Sequence, residues 1–334
     1  MLTTTVQGRT WNFSHAIGRN AAAGNGFTQP MSIVSFKDDS IYVLSRGGDG
    51  AGGVVQPNKR IGRVTINEEF IGDFGHGDFT WPSSLAVDSR SHVYCTDEHT
   101  NTVIEYDPEG KKIGEWGTPG NKEGNLNMPS GIAFDSGDNL FIVDSGNNRI
   151  QKFTKEGEFI LAWGEAGSSE GQFSDPWGIT VDQNSNVYVA DWGNDRVQKF
   201  TSEGEFLLSY GVTFPEDMRL NHPSDVAVDS EGDVYVVDWG NKRVQIFDPE
   251  GEILTSLYGD AYEFSQWAKE VVESNPDALK AYRRVEDKSS LATFERPTSI
   301  TIDSQDRIIV SESTRGRLQV YAKEKDYLDP QYNL

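Results

Sequence analysis

An imidazole held beside a carboxylate can take up and release a proton near neutral pH. The sequence offers one such pair in matching places: Asp175 and His222 each stand directly before a proline in two similar stretches. Six stretches share this plan, around Pro30, Pro82, Pro129, Pro176, Pro223 and Pro297, and the residues before those prolines are Gln29, Trp81, Met128, Asp175, His222 and Arg296. A second variable position holds Arg46, Glu98, Ser145, Trp192, Trp239 and Ser313, and Trp177 follows Pro176. Broad rings interleaved with a few polar or ionisable groups are what a site for a small molecule or peptide needs. The expected ligand-binding set is therefore Gln29, Arg46, Trp81, Glu98, Met128, Asp175, Trp177, Trp192, His222, Trp239 and Arg296. His222 and Asp175 are the catalytic candidates.

Metal chemistry has fewer resources. The histidines are His15, His76, His92, His99 and His222, and only His222, with His99 and His76, is placed to reach the same side as Asp175. A mixed site of His222, Asp175 and Glu98 is the zinc alternative. A calcium site needs more oxygen ligands than Gln29 and Asp175 supply. No metal ligand is assigned, and the cofactor is left open between none, calcium and zinc. The sequence has no G-x-S-x-G nucleophile motif and no phosphate loop followed by lysine. The glycine-rich run GGDGAGG (47–53) follows a strand but opens no helix.

The elements that position these residues recur. The six prolines are spaced 52, 47, 47, 47 and 74 residues apart. Three residues before each stands Phe27, Phe79, Leu126, Phe173, Leu220 or Phe294. Six after stands Asp88, Asp135, Asp182, Asp229 or Asp303, with Phe36 in the first copy. Fifteen after stands Ser45, Asp97, Asp144, Asp191, Asp238 or Glu312, and twenty after stand Arg149, Arg196 and Arg243. A residue that every copy keeps serves what every copy needs, so these acids are expected to bind loop backbone or the arginines. The positions where the copies differ are the ones open to function.

Each copy contains four β-like runs. In the fourth these are GITVD (178–182), NVYVAD (186–191), RVQKF (196–200) and EFLLSYG (205–211), referred to below as strands a to d. The c–d turns DPEG, TKEG, TSEG and DPEG carry the glycine that a tight hairpin requires. Four antiparallel strands at this period predict an all-β propeller. The stretch PWGITVDQNSNVYVADWGNDRVQKFTSEGEFLLSYG (176–211) and its copies at 129–164 and 223–259, with their Asn-x-Arg elements, resemble NHL repeats. The resemblance implies a six-bladed β-propeller. It also implies a functional range that runs from binding propellers to amidating, lactonase-type and streptogramin-inactivating enzymes.

The blades are expected over about 29–76, 81–117, 128–164, 175–211, 222–259 and 296–322. The last lacks a good outer strand after Tyr321, and RTWNFSHAIG (9–18) ends like the other outer strands, so the N-terminal segment is expected to close the ring. Closure removes the open edges that template aggregation. Strand order puts the d–a joins and b–c loops on one face, the top. Two insertions fall there: the loop 46–60, and 260–292, which reads as two short helices broken at Asn275-Pro276. Phe264, Trp267 and Val271 recur at helical spacing and are expected to pack on the body or to form a lid.

Composition sets the outer limits. With 36% hydrophobic residues the chain can bury a core. A net charge of −22 repels phosphate backbones, so nucleic acid is not an expected partner. The one cysteine, Cys95, lies in a strand and cannot form an intrachain disulfide. No run is long and apolar enough for a membrane span, and the N-terminus has no signal core. A cytoplasmic monomer is the default, with secretion after signal removal left open. The expected partner is a peptide, protein or small molecule on the top face. The leading expectation is a binding propeller; the alternatives are a metal-assisted lyase or hydrolase in the same funnel, and a protein scaffold without a pocket.

Overall fold

A computed structural model of the chain describes residues 3–6, 8–36, 39–47, 59–212 and 214–324. Most of the loop 46–60 and the tail after Glu324 lie outside the described residues. Six antiparallel sheets form the blades of the propeller. In the fourth, Pro176–Val181, Val187–Asp191, Arg196–Phe200 and Phe206–Tyr210 pair in sequence order. Strand b is buried along its whole length in this blade because neighbouring blades cover both of its faces. Between adjacent blades, apolar side chains close six seams. The fourth-to-fifth seam, for example, gathers Tyr188, Val197, Tyr210, Leu220, Val226 and Phe247. Each outer strand leans toward the next blade, so Trp116 and Trp163 rest on the c–d turns there. A Cβ on Gly157 or Gly204 would come within 2.7 Å of those indoles, and both glycines have positive φ.

The ring closes at the N-terminus. Arg9–Ile17 pairs with Arg317–Glu324, from Thr10 opposite Glu324 to Ile17 opposite Leu318. The strand Thr3–Val6 then adds a fifth member to this blade, which the repeat pattern did not predict. Trp11 is 1% exposed in the seam with blade five, and its indole N–H donates to the Tyr235 hydroxyl at 2.9 Å. Lys323 reaches the same neighbour: its ammonium meets Asp229 at 2.5 Å and Asp233 and Glu231 at 2.7 Å, and Arg9 meets Asp233 at 3.1 Å.

The insertion forms helices Gln266–Ser274 and Pro276–Arg283, then a short turn Ser289–Ala292. Asn275 ends the first helix and caps the second, accepting from Asp277 N and Ala278 N, while Pro276 sits at a first-turn position that needs no N–H. Trp267 is buried beside Phe27, 6.2 Å away. Ser265 Oγ donates to Gly18 O at 2.7 Å, and Gln266 N donates to Glu68. These anchors place the first helix against the outer seam between blades six and one, instead of over the mouth as a lid would lie. Val271 stays exposed. Among the described residues, no helix is long and apolar enough to cross a membrane.

At the axis, strand a of each blade presents a small residue two places after its proline: Ser32, Ser84, Gly131, Gly178 and Ser299, with Asp225 in blade five. These side chains stitch neighbours together. Ile33 N donates to Ser299 Oγ at 3.2 Å, Leu85 N to Ser32 Oγ at 3.0 Å and Ile300 N to Asp225 Oδ2 at 3.0 Å. A cavity of about 10 Å³ is left on one side of this ring, at the limit for one water, and one of about 200 Å³ lies among the strand-a residues that follow. Asp225 does with a carboxylate what serine does elsewhere, and burial pushes its pKa up to about 6 from 3.8. A carboxyl raised in the folded state favours folding while protonated. That contribution is full below about pH 4 and is lost as pH rises through about 6. Asp225→Ser keeps the acceptor and removes the charge. In paired urea melts the variant should therefore gain on the parent between pH 4 and pH 7.5, by on the order of 2–3 kcal/mol. A difference that stays flat with pH would show that the carboxylate carries no burial cost.

Candidate functional site

The repeated acids at the end of strand b set the height and angle of the top loops. Asp191 accepts from Ser174 N at 2.8 Å, Asn194 Nδ2 at 2.9 Å, Arg196 Nε at 2.8 Å and Gln198 Nε2 at 3.2 Å. Arg196 continues to the carbonyls of Ser169 and Gln172, so one buried acid ties loop, strand and join together. Asp144 and Asp238 repeat the arrangement. Burial raises the Asp191 and Asp238 carboxyls against the pull of these donors. Two further arginines belong to the scheme and were missed in the sequence. Arg317 holds Glu312, and Arg60 replaces the pairing in blade one by binding Asp73 at 2.9 Å and Gly26 O at 2.8 Å. The long loop of blade one displaces Arg60 from the regular spacing; Arg317 lies at that spacing and was overlooked.

Three of the residues before the prolines are held by a latch. Gln29, Met128, Asp175 and His222 have left-handed backbones, with φ between 49° and 53°. Right-handed helical backbone is disfavoured before proline, and here the chain takes the left-handed region instead. A left-handed residue of the preceding blade secures three of these turns: Asn101 accepts from Met128 N at 2.8 Å, Asn148 from Asp175 N at 2.9 Å and Asp195 from His222 N at 2.7 Å. The expected pairing of His222 with Asp175 is therefore corrected. The latch brings Asp195 to 3.7 Å from His222 Nδ1, while that nitrogen also meets Asn221 Oδ1 at 2.5 Å. Asp195 was readable in principle, because Asn101 and Asn148 occupy the same offset and it alone of the three carries an acid.

Two groups of site residues form on the top face. Over blades four to six the Trp192 ring lies 6.3 Å from Trp177, 5.0 Å from Trp239 and 5.0 Å from His222, and the Arg296 guanidinium stands 6.0 Å from Trp239. All three indoles are only partly buried. Over blades one to three, the Arg46 guanidinium lies 4.5 Å and the Lys59 ammonium 5.5 Å from the Trp81 ring. Arg46 pairs with Glu98, which also accepts from Ser83 at 3.1 Å; burial outweighs both and holds its carboxyl above the usual range. Trp81, Glu98, His99, Asn101, Asn127 and Met128 line a hollow of about 400 Å³. Gln29 and Asp175 are exposed on the rim. The mouth is thus a broad dish with two aromatic patches, floored by the narrow ring around Asp225, instead of a funnel that continues down the axis.

The mixed metal set is not assembled. Glu98 is taken by Arg46, and His222 faces Asp195. Among the described residues one group of acids is close enough to share an ion, Asp229, Glu231 and Asp233 on the opposite face, and the Lys323 ammonium sits among them. His15, His76 and His92 are engaged elsewhere, with Ile66 O, Asp73 and Glu105.

The repeat unit decides the family. The NHL repeat model matches residues 126–153, 173–200 and 220–247, the cores of blades three, four and five. The chain is a six-bladed propeller with NHL repeats in three of its blades. No curated protein matches its sequence. Among solved structures, this NHL propeller is similar to a structural-genomics protein of unknown function from Bacteroides thetaiotaomicron, with 19% identity and a TM-score of 0.67 over 95% of this chain and 76% of that one. It is also similar to an auxiliary nutrient binding protein from the same organism, with 11% identity and a TM-score of 0.60 over 90% and 70%. A virginiamycin B lyase from Staphylococcus aureus, solved in inactive form with quinupristin, aligns at 14% identity and a TM-score of 0.57 over 93% and 99%. At these identities the likeness speaks for the fold alone.

Proposed function

We propose that this NHL propeller is a binding module that takes a peptide or small-molecule ligand on its top face, over the patch of Trp177, Trp192 and Trp239. The observation that carries this reading is the contiguity of three partly exposed indoles from two blades, with His222 and Arg296 at their margin. Indoles offer broad apolar area with little conformational entropy to lose. The Arg296 guanidinium, exposed at the edge, suits a carboxylate or another acceptor on the ligand. The proteins similar in fold include one named for nutrient binding and one solved with quinupristin, which supports a ligand-binding reading. The Asp195–His222 pair is an acid–base resource beside the patch, and a binding role does not need it.

The reading is tested by screening peptides and small molecules against the intact protein by tryptophan fluorescence, with hits confirmed by calorimetry. Trp192→Ala should weaken a genuine hit by roughly 30-fold or more, because the central ring of the patch is lost. Its melting temperature should change little. Hits that bind Trp192→Ala as tightly as the parent would remove the patch from consideration.

A further inference from the structure

A second cavity lies at the outer rim, apart from the top-face mouth. It holds about 360 Å³ between the closing strand and the segment that leads into the helices, and its walls include Phe13, His15, Asp260, Tyr262, Glu263 and Phe264. Its shape follows from a β-bulge. Pairing with the neighbouring strand passes from Phe13–Tyr321 to His15–Val320, so Ser14 has no partner residue opposite it. Phe13 is fixed by edge-on packing against Tyr321 at 5.6 Å. The His15 ring is fixed at both nitrogens, by Ile66 O at 2.7 Å and Ser14 Oγ at 2.9 Å.

The facing wall is equally held. Ala261 N bonds to Ala292 O at 3.2 Å, and Ser265 Oγ bonds to Gly18 O at 2.7 Å, so the segment between them is pinned at both ends. It nevertheless presents two large rings to solvent: Tyr262 is 51% exposed and Phe264 39%. Two carboxylates, Asp260 and Glu263, stand beside these rings. Among the described residues no basic side chain pairs with Glu263. Rings beside the unpaired Glu263 carboxylate attract an organic cation, and a net charge of −22 draws cations from a distance. The protein already uses this aromatic cluster in that way. Phe264 packs on Tyr282 at 4.5 Å, and the Lys288 ammonium sits 4.3 Å from that same Tyr282 ring.

We propose that this rim cleft binds a small alkylammonium ligand, with the cationic head among Phe13, Tyr262 and Phe264 and its charge balanced by Glu263 and Asp260. The proposal is independent of the top-face reading. Its test titrates the intact protein with choline and, in parallel, with the uncharged isostere 3,3-dimethylbutan-1-ol, by calorimetry and ligand-observed NMR. Choline should bind at least roughly tenfold tighter than the neutral alcohol. Phe264→Ala and Glu263→Gln, both at exposed positions, should each weaken choline by roughly tenfold or more without shifting the melting temperature. Trp192→Ala should leave choline binding unchanged. Equal binding of the two probes, undiminished binding in both rim variants, or no choline binding at tens of millimolar would each overturn the proposal.

Discussion

Deletion of residues 1–18 should leave a chain that is insoluble or recovered only as open, aggregating species. The segment supplies the outer strand of blade six, so its loss bares the edge of Arg317–Glu324 along its length. It also removes Trp11 and Ile17 from two different seams, and with them the buried bond to Tyr235. Truncating one buried tryptophan typically costs about 3–5 kcal/mol. A domain's whole stability is about 5–15 kcal/mol, so a strand that carries two core anchors and pairs along the edge of the last blade is not dispensable. Loss of Arg9 further strips Asp233 of one of its two cations. The check is soluble yield, sedimentation and thermal melting beside the intact chain. The point substitution Trp11→Ala grades the same effect, with an expected loss of about 3–5 kcal/mol. A truncated protein that stays monomeric with an unchanged melting temperature would mean that the ring is closed by something else.

Asp191→Ala is expected to be among the most damaging substitutions on the top face, and its neighbour Trp192→Ala among the mildest for stability. Asp191 is fully buried and satisfies four donors, from Ser174, Asn194, Arg196 and Gln198. Alanine leaves the Arg196 charge buried without its acid, a change that typically costs about 3–5 kcal/mol. Asp191→Asn retains an acceptor and should cost less. The contrast separates scaffold from site. The Asp191 variants should lose stability in urea melts, and any loss of binding should follow unfolding. Trp192→Ala should lose binding while folded. If Asp191→Ala melted like the parent, the buried acid would not be what fixes the loops.

The repeat arithmetic was legible because each blade solves the same local problem with the same residues. The prolines mark the start of strand a, the acids mark the end of strand b, and the c–d glycines mark hairpins, so order and period were enough to give a six-bladed wheel and its N-terminal closure. The break at Asn275-Pro276 was legible for a related reason, since a cap and a proline act within one turn of helix. Some of the variable residues lie close together in the structure. Trp177, Trp192, His222, Trp239 and Arg296 do gather on one face, as do Arg46, Trp81 and Glu98.

What the sequence by itself determined, then, is whatever a blade carries within its own strands and turns. Only the tertiary structure decided the contacts between blades. It gave His222 the carboxylate of Asp195 instead of Asp175, through a latch from the previous blade. It also closed the channel around Asp225 and sent the helices to the rim. The physical reason is that sequence period fixes which element a residue occupies, whereas the direction of its side chain and the identity of its partner depend on backbone twist and on left-handed turns. Those geometries arise only when the six sheets are packed side by side.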